Sequence, residues 1–162
     1  IVGAVTNDGT SGEGTLTFAT TTSSTEVAST TVGATSAVLK AINVTTTAGT
    51  ASLAGNVFAT TITADANNTT GSDKVTFEGT VDATTLNLDG AGSFGLEGTT
   101  TAAVVISGDS TTTVSANKGI VGAVTNDGTS GEGTLTFAAA TSNTTLASTT
   151  VGATSAVLKA LN

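Results

Sequence analysis

The 162-residue chain contains no Cys, Pro, Met, Trp, Tyr or His, and its only aromatic residues are five Phe. Without Cys there is no disulfide framework. Without His and Cys, His-based triads, thiol catalysis and ordinary transition-metal ligation lose their usual groups. The missing Pro and Trp also take away the residues that mark domain joins and fill a wide globular centre. Positive charge is scarce as well: four Lys face twelve carboxylates, for a net charge of −8. Nucleic-acid and anionic-lipid recognition start from clustered Lys and Arg, so this balance argues against both. No apolar run approaches the ~18 residues of a membrane helix, so no membrane insertion is expected of this segment.

What remains is Thr at 40 positions, Gly at 20, and a small apolar set of Val, Ile, Leu and Ala. β-Branched residues suit a pleated surface, and Gly, Asn and Asp supply turns. The carboxylates are spread thinly and no run places several on one strand face, which argues against the carboxylate pair of glycoside cleavage. The glycines form neither a dinucleotide fingerprint nor a phosphate-binding loop. A non-enzymatic protein is expected.

Residues 1–43 return at 120–162 with 37 of 43 positions unchanged, an offset of 119 residues from Ile1 to Ile120. Turn residues are copied as faithfully as apolar ones, which reads as a tandem array. Residues 1–119 form a first long repeat and 120–162 begin a second, and the chain is expected to be a window of a longer array.

Short period-2 strands run between Gly-rich turns: Thr15–Phe18, Lys74–Glu78, Thr85–Asp89, Phe94–Glu97 and Thr134–Phe137. A weaker period of about 20 residues links Phe18, Val38, Phe58, Phe77, Leu96, Val114 and Phe137, about six units per long repeat. The spacing predicts an all-β fold, a parallel β-helix with coils of about 20 residues, whose inward ladder holds Phe18, Phe58, Phe77, Phe94, Leu96 and Phe137. Tandem Ig-like β-sandwich domains of about 119 residues are the alternative.

The phrase Gly12-Glu13-Gly14-Thr15-Leu16-Thr17-Phe18 resembles the G-x-G-T-L-T-[FL] motif of bacterial autotransporter passenger repeats. The stretch from Thr31 to Asn43 is similar to repeats of rickettsial-type surface antigens, and Lys74–Val81 has the same cadence. The resemblance implies a β-helical exoprotein of the cell surface that forms adhesins, filaments or surface layers. Its expected partners are copies of itself, or a host or cell-surface glycan. No catalytic residue carries over.

Calcium is the one plausible ligand. Asp8 and Glu13, repeated as Asp127 and Glu132, place hard oxygens in a tight turn, and Asp65 to Asn68 with Asp73 forms a second group. An Asp-Gly turn, in which Asp bonds its own backbone, accounts for the same residues. Thr-x-Thr triplets suggest an ice-binding face, but their irregular spacing gives no single aligned row. Asn43, Asn67, Asn68 and Asn143 each open an N-glycosylation triplet, a frequent chance product in a Thr-rich chain.

Overall fold

The computed structural model describes residues 1–20, 25–28, 30–67, 72–127, 129–139, 150–153 and 157–162, and every regular element among them is a β-strand. These are β1 (Glu13–Thr20), β2 (Thr25–Ala28), β3 (Leu39–Thr46), β4 (Thr50–Leu53), β5 (Val57–Ala66), β6 (Lys74–Phe77) and β7 (Val81–Gly90). They continue as β8 (Ser93–Leu96), β9 (Thr100–Ile106), β10 (Thr111–Val114), β11 (Ile120–Val121), β12 (Val124–Asn126), β13 (Glu132–Phe137) and β14 (Leu158–Leu161). One sheet runs β1-β3-β5-β7-β9-β11, with β12 also on β9, and the other runs β14-β13-β10-β8-β6-β4-β2. Every ladder is parallel, and the chain alternates between the sheets from β1 to β10. The result is a β-solenoid of about five turns. Tandem sandwiches are excluded, because sandwiches need antiparallel pairing within each sheet.

Each long strand covers two faces of the coil. In β5, Val57 and Ala59 are buried, Thr60 and Thr61 both point outward, and burial resumes at Ile62, Ala64 and Ala66. Two successive outward residues shift the period-2 pattern by one, which is a corner turned without leaving the ladder. The same slip occurs at Lys40-Ala41 in β3 and at Thr84-Thr85 in β7. With β6 and its neighbours, the coil therefore has three faces.

An apolar row runs up each face. The first holds Val5, Val32, Val57, Val81, Thr100 and Ile120. The second holds Leu16, Ile42, Ile62, Leu86, Val104 and Val124. The third holds Ala51, Val75, Phe94, Thr112, Leu135 and Leu161, with Leu53, Phe77, Leu96, Val114 and Phe137 beside it. Small and branched side chains suffice because each touches its counterparts one coil above and one below.

Phe77 and Leu96 are fully buried and Phe94 nearly so, all on the third face, while Phe137 is half-buried there. Phe18 is buried at 9% exposure on the second face, opposite Val44. Phe58 does not belong to an inward ladder. It is half-buried between two inward residues, Val57 and Ala59, so strand alternation turns it out. Val38 lies outside the strands, and the residue stacked beyond Phe18 is Val44. The coils are also unequal, from 26 residues between Leu16 and Ile42 to 18 between Leu86 and Val104, so a fixed step of about 20 drifts off the true register.

A glycine corner closes the coil between the third and first faces. A Cβ on Gly79 would lie 2.5 Å from the carbonyl of Gly55, and one on Gly98 would run into the carbonyl of Gly79. Successive backbones are too close there for any side chain.

Candidate functional site

The duplicated segment keeps its internal geometry in both copies. Val5 bridges Val32 as Val124 bridges Val151, and Glu13, Thr15 and Leu16 pair with Leu39, Ala41 and Ile42 as Glu132, Thr134 and Leu135 pair with Leu158, Ala160 and Leu161. Its position on the solenoid differs. Val5 sits in the first-face row and Val124 in the second; Leu16 sits in the second-face row and Leu135 in the third. One long repeat therefore advances five coils and one face, and successive copies start one-third of a turn apart.

The Asn-Asp-Gly turn holds itself together. Asp8 Oδ1 accepts the Thr10 amide at 3.2 Å and Asn7 Oδ1 accepts the Gly9 amide at 3.1 Å. Asn7 Nδ2 donates to the Thr10 carbonyl and, at 3.1 Å, to Val38 one coil away. In the second copy Thr129 N donates to Asp127 Oδ1 at 3.1 Å, and Asn126 Nδ2 donates to the carbonyls of Thr129 and Val157. This turn clamps one coil to the next, and the Asp oxygen proposed for a cation receives a backbone N–H. Asp8, Glu13 and Asp127 are exposed, while Glu132 Oε2 accepts the Gly108 amide at 3.2 Å. Among the described residues, no three Asp or Glu come together.

The second acidic group is divided among different tasks. Asp73 is fully buried, and its Oδ1 accepts the Gly49 amide at 2.8 Å, which ties two coils together. Asp65 stacks on Asp89, and partial burial followed by the Asp89 charge pushes its carboxyl above the usual value. Asn67 is exposed, and Asn43 is half-buried on the outer side of the second face. Asn68 and Asn143 lie outside the described residues.

Outward Thr residues on the second face align in part. Thr15 and Thr17 stack on Ala41 and Asn43, then on Thr61 and Thr63, Thr85 and Asn87, and Ala103 and Val105. Ala and Val interrupt the row, so no unbroken Thr lattice forms.

A concave feature lies among the last described strands of the solenoid. Thr125, Val151, Val157, Leu158, Ala160 and Leu161 line an open apolar groove. Leu161 is 53% exposed and Val157 49%. Comparison with family models, curated proteins and solved structures gives no match. Function is therefore argued from the chain's own geometry.

Sequence reading missed three devices: the glycine corner, the Asp73–Gly49 clamp, and a Ser52 Oγ hydrogen bond to Glu78 Oε1 across neighbouring coils. Each joins positions 19 to 26 residues apart, and only the stacking register reveals such pairs. The recurring Gly residues at positions 55, 79 and 98 were the one signal available in the sequence.

Proposed function

We propose that this chain is a non-enzymatic structural protein of the cell exterior, a stiff β-solenoid rod that packs with copies of itself in a filament, surface layer or adhesin stalk. The observation that carries the reading is the join between the two long repeats. Strands β11 and β12, on either side of Gly122, both pair with β9, so the ladder continues from one repeat into the next without a hinge. A rod that bends little over its length suits a stalk or a coat, where reach and spacing matter more than chemistry.

The composition agrees with that role. Outward Thr and a negative net charge keep the faces solvated, and the side-chain inventory is poor in catalytic groups. The test is immunogold labelling of intact cells that make the protein, together with small-angle scattering of the purified chain. Surface label and a rod-like scattering profile are expected. Label confined to the cell interior would overturn the location, and a flexible chain of beads would overturn the rod.

A further inference from the structure

Three Asp-Gly dipeptides occur in the chain, Asp8-Gly9, Asp89-Gly90 and Asp127-Gly128, and the fold treats them differently. In such a pair the glycine nitrogen can attack the aspartate Cγ, because no side chain shields it. Asp8 Oδ1 accepts the Thr10 amide and Asn7 Oδ1 accepts the Gly9 amide, so carboxyl and nitrogen each face another partner. Asp127 Oδ1 likewise accepts from Thr129. At Asp89 the carboxyl turns onto its own dipeptide: Oδ1 accepts the Gly90 N–H at 2.7 Å. Since a C=O bond is about 1.2 Å, Cγ lies within about 3.9 Å of that nitrogen, near the ~3–3.5 Å of reacting atoms poised for attack.

The preceding coil supplies a second contrast. Asp65 and Ala66 of β5 stand in register with Asp89 and Gly90 of β7. Ala66 carries a methyl beside its nitrogen, whereas Gly90 carries none. A Cβ on Gly90 would lie 2.4 Å from the Ala66 carbonyl oxygen, so packing demands glycine here and leaves its nitrogen open. Asp89 is exposed, and water reaches it.

We propose that Asp89 and Gly90 form a self-modifying site, at which the peptide link passes from the aspartate main chain to its side chain. Gly90 N bonds to Asp89 Cγ, the Cγ–OH bond of the protonated carboxyl breaks, and that OH leaves with the amide proton as water. A water then opens the five-membered imide. Opening at Cγ restores aspartate. Opening at the former backbone carbonyl leaves an isoaspartyl link and a free α-carboxylate, with no net change in mass or charge. The new link lengthens the main chain by one carbon. Just beyond it the Ala91 and Gly92 amides donate to the Ala66 carbonyl at 3.1 and 2.9 Å, and a Cβ on Gly108 would lie 2.5 Å from the Gly90 carbonyl oxygen. This corner between the second and third faces has no slack for an added atom, so it loosens as the protein ages. The inference goes beyond the structural reading above and does not depend on where the rod resides.

The test is to incubate the purified chain for weeks in mildly acidic heavy-oxygen water, return it to ordinary water and cut it at its lysines. Cleavage at Lys40, Lys74, Lys118 and Lys159 puts Asp8, Asp65, Asp89 and Asp127 on separate fragments. Mass spectrometry and isoaspartate-specific enzymatic methylation should find the product in fragment 75–118 several-fold sooner than in 1–40 and 119–159, with 41–74 last. In urea that lead should vanish. Asp89→Glu keeps the charge at an exposed position and should abolish the signal in 75–118, with a cooperative melt confirming its fold. Isoaspartyl chain separated from fresh chain should melt at a lower temperature. Equal rates in the three Asp-Gly fragments of the folded chain, a lead that persists in urea, a signal that survives Asp89→Glu, or unchanged melting of the isoaspartyl chain overturns the inference.

Discussion

The segment 1–43 and its copy 120–162 carry nearly the same residues in opposite circumstances. The first copy is covered on its C-terminal side and open on the other; the second is the reverse. Ile42 is 0% exposed and Leu161 53%, although the two positions pair with their own neighbours in the same register. Residue type thus fixes which way a side chain points, and the neighbouring coil fixes what that orientation is worth. Two near-identical segments of one molecule make this a nearly controlled experiment, with one apolar residue close in size to the other and burial varied.

The sharpest way to break the comparison is to place a charge at the matched site. Ile42→Asp buries an unpaired carboxylate and should cost more than ~4 kcal/mol, enough to abolish the cooperative melt. Leu161→Asp, on an open surface, should change stability by less than ~0.5 kcal/mol under dilute conditions. Equal losses in urea titrations of the two variants would show that the end coil is covered after all.

The reverse asymmetry is tested at the other end. Leu135→Ala leaves a cavity between β10 and β14 and should cost about 3 kcal/mol, while Leu16→Ala, half-buried at the edge, should cost about 1 kcal/mol. Denaturation midpoints at constant m-value give the ratio.

Glycine provides a third matched pair. Gly33 and Gly152 both have φ of +77°, so Ala at either site is strained by about 1 kcal/mol or more. A Cβ at Gly33 would also strike the carbonyl of Phe58, whereas one at Gly152 meets nothing within 4 Å. Gly33→Ala should therefore lower the melting temperature by clearly more than Gly152→Ala, and identical shifts would mean that the close approach relaxes freely.

Two smaller changes probe the coils between the copies. Thr100 is fully buried in the first-face row, and its hydroxyl has no hydrogen-bond partner. Thr100→Val restores the apolar row and should add about 1 kcal/mol, visible as a rise of roughly 2–4 °C in Tm. Asp65 has its carboxyl raised from 3.8 by burial and then by Asp89, so the folded chain holds this proton more tightly than the unfolded chain does. Stability from this group is fully present below pH 3.8 and is lost as pH rises through the folded value. Asp65→Asn should thus raise Tm slightly at pH 7 and confer no gain below pH 3.8; a uniform shift across pH would assign the effect to packing instead.

Much of the architecture was legible in the residues. Alternation in Lys74–Phe77 and in Thr85–Leu88 marks strands with one apolar side, and the absence of Trp, Tyr and Pro suits a narrow stack over a wide core. Phe58 departs from the expected ladder because size does not decide orientation: the smaller Val57 and Ala59 fill the interior, and alternation turns the ring between them outward. Loops of unequal length hide the stacking register, so the sequence shows an approximate period where the coils themselves differ in length. The turn at Asn7–Glu13 was legible as chemistry and ambiguous as function, since an Asp that bonds its own backbone and an Asp that binds a cation look alike in one dimension.

By itself the sequence determined the local elements and the repeat of 119 residues, since both depend on side-chain alternation and turn chemistry within a few neighbours. Tertiary structure alone decided that the repeat advances by five coils and one face, because stacking register depends on how strands far apart in the chain come into contact. That choice sets which copy of each Leu and Val is buried.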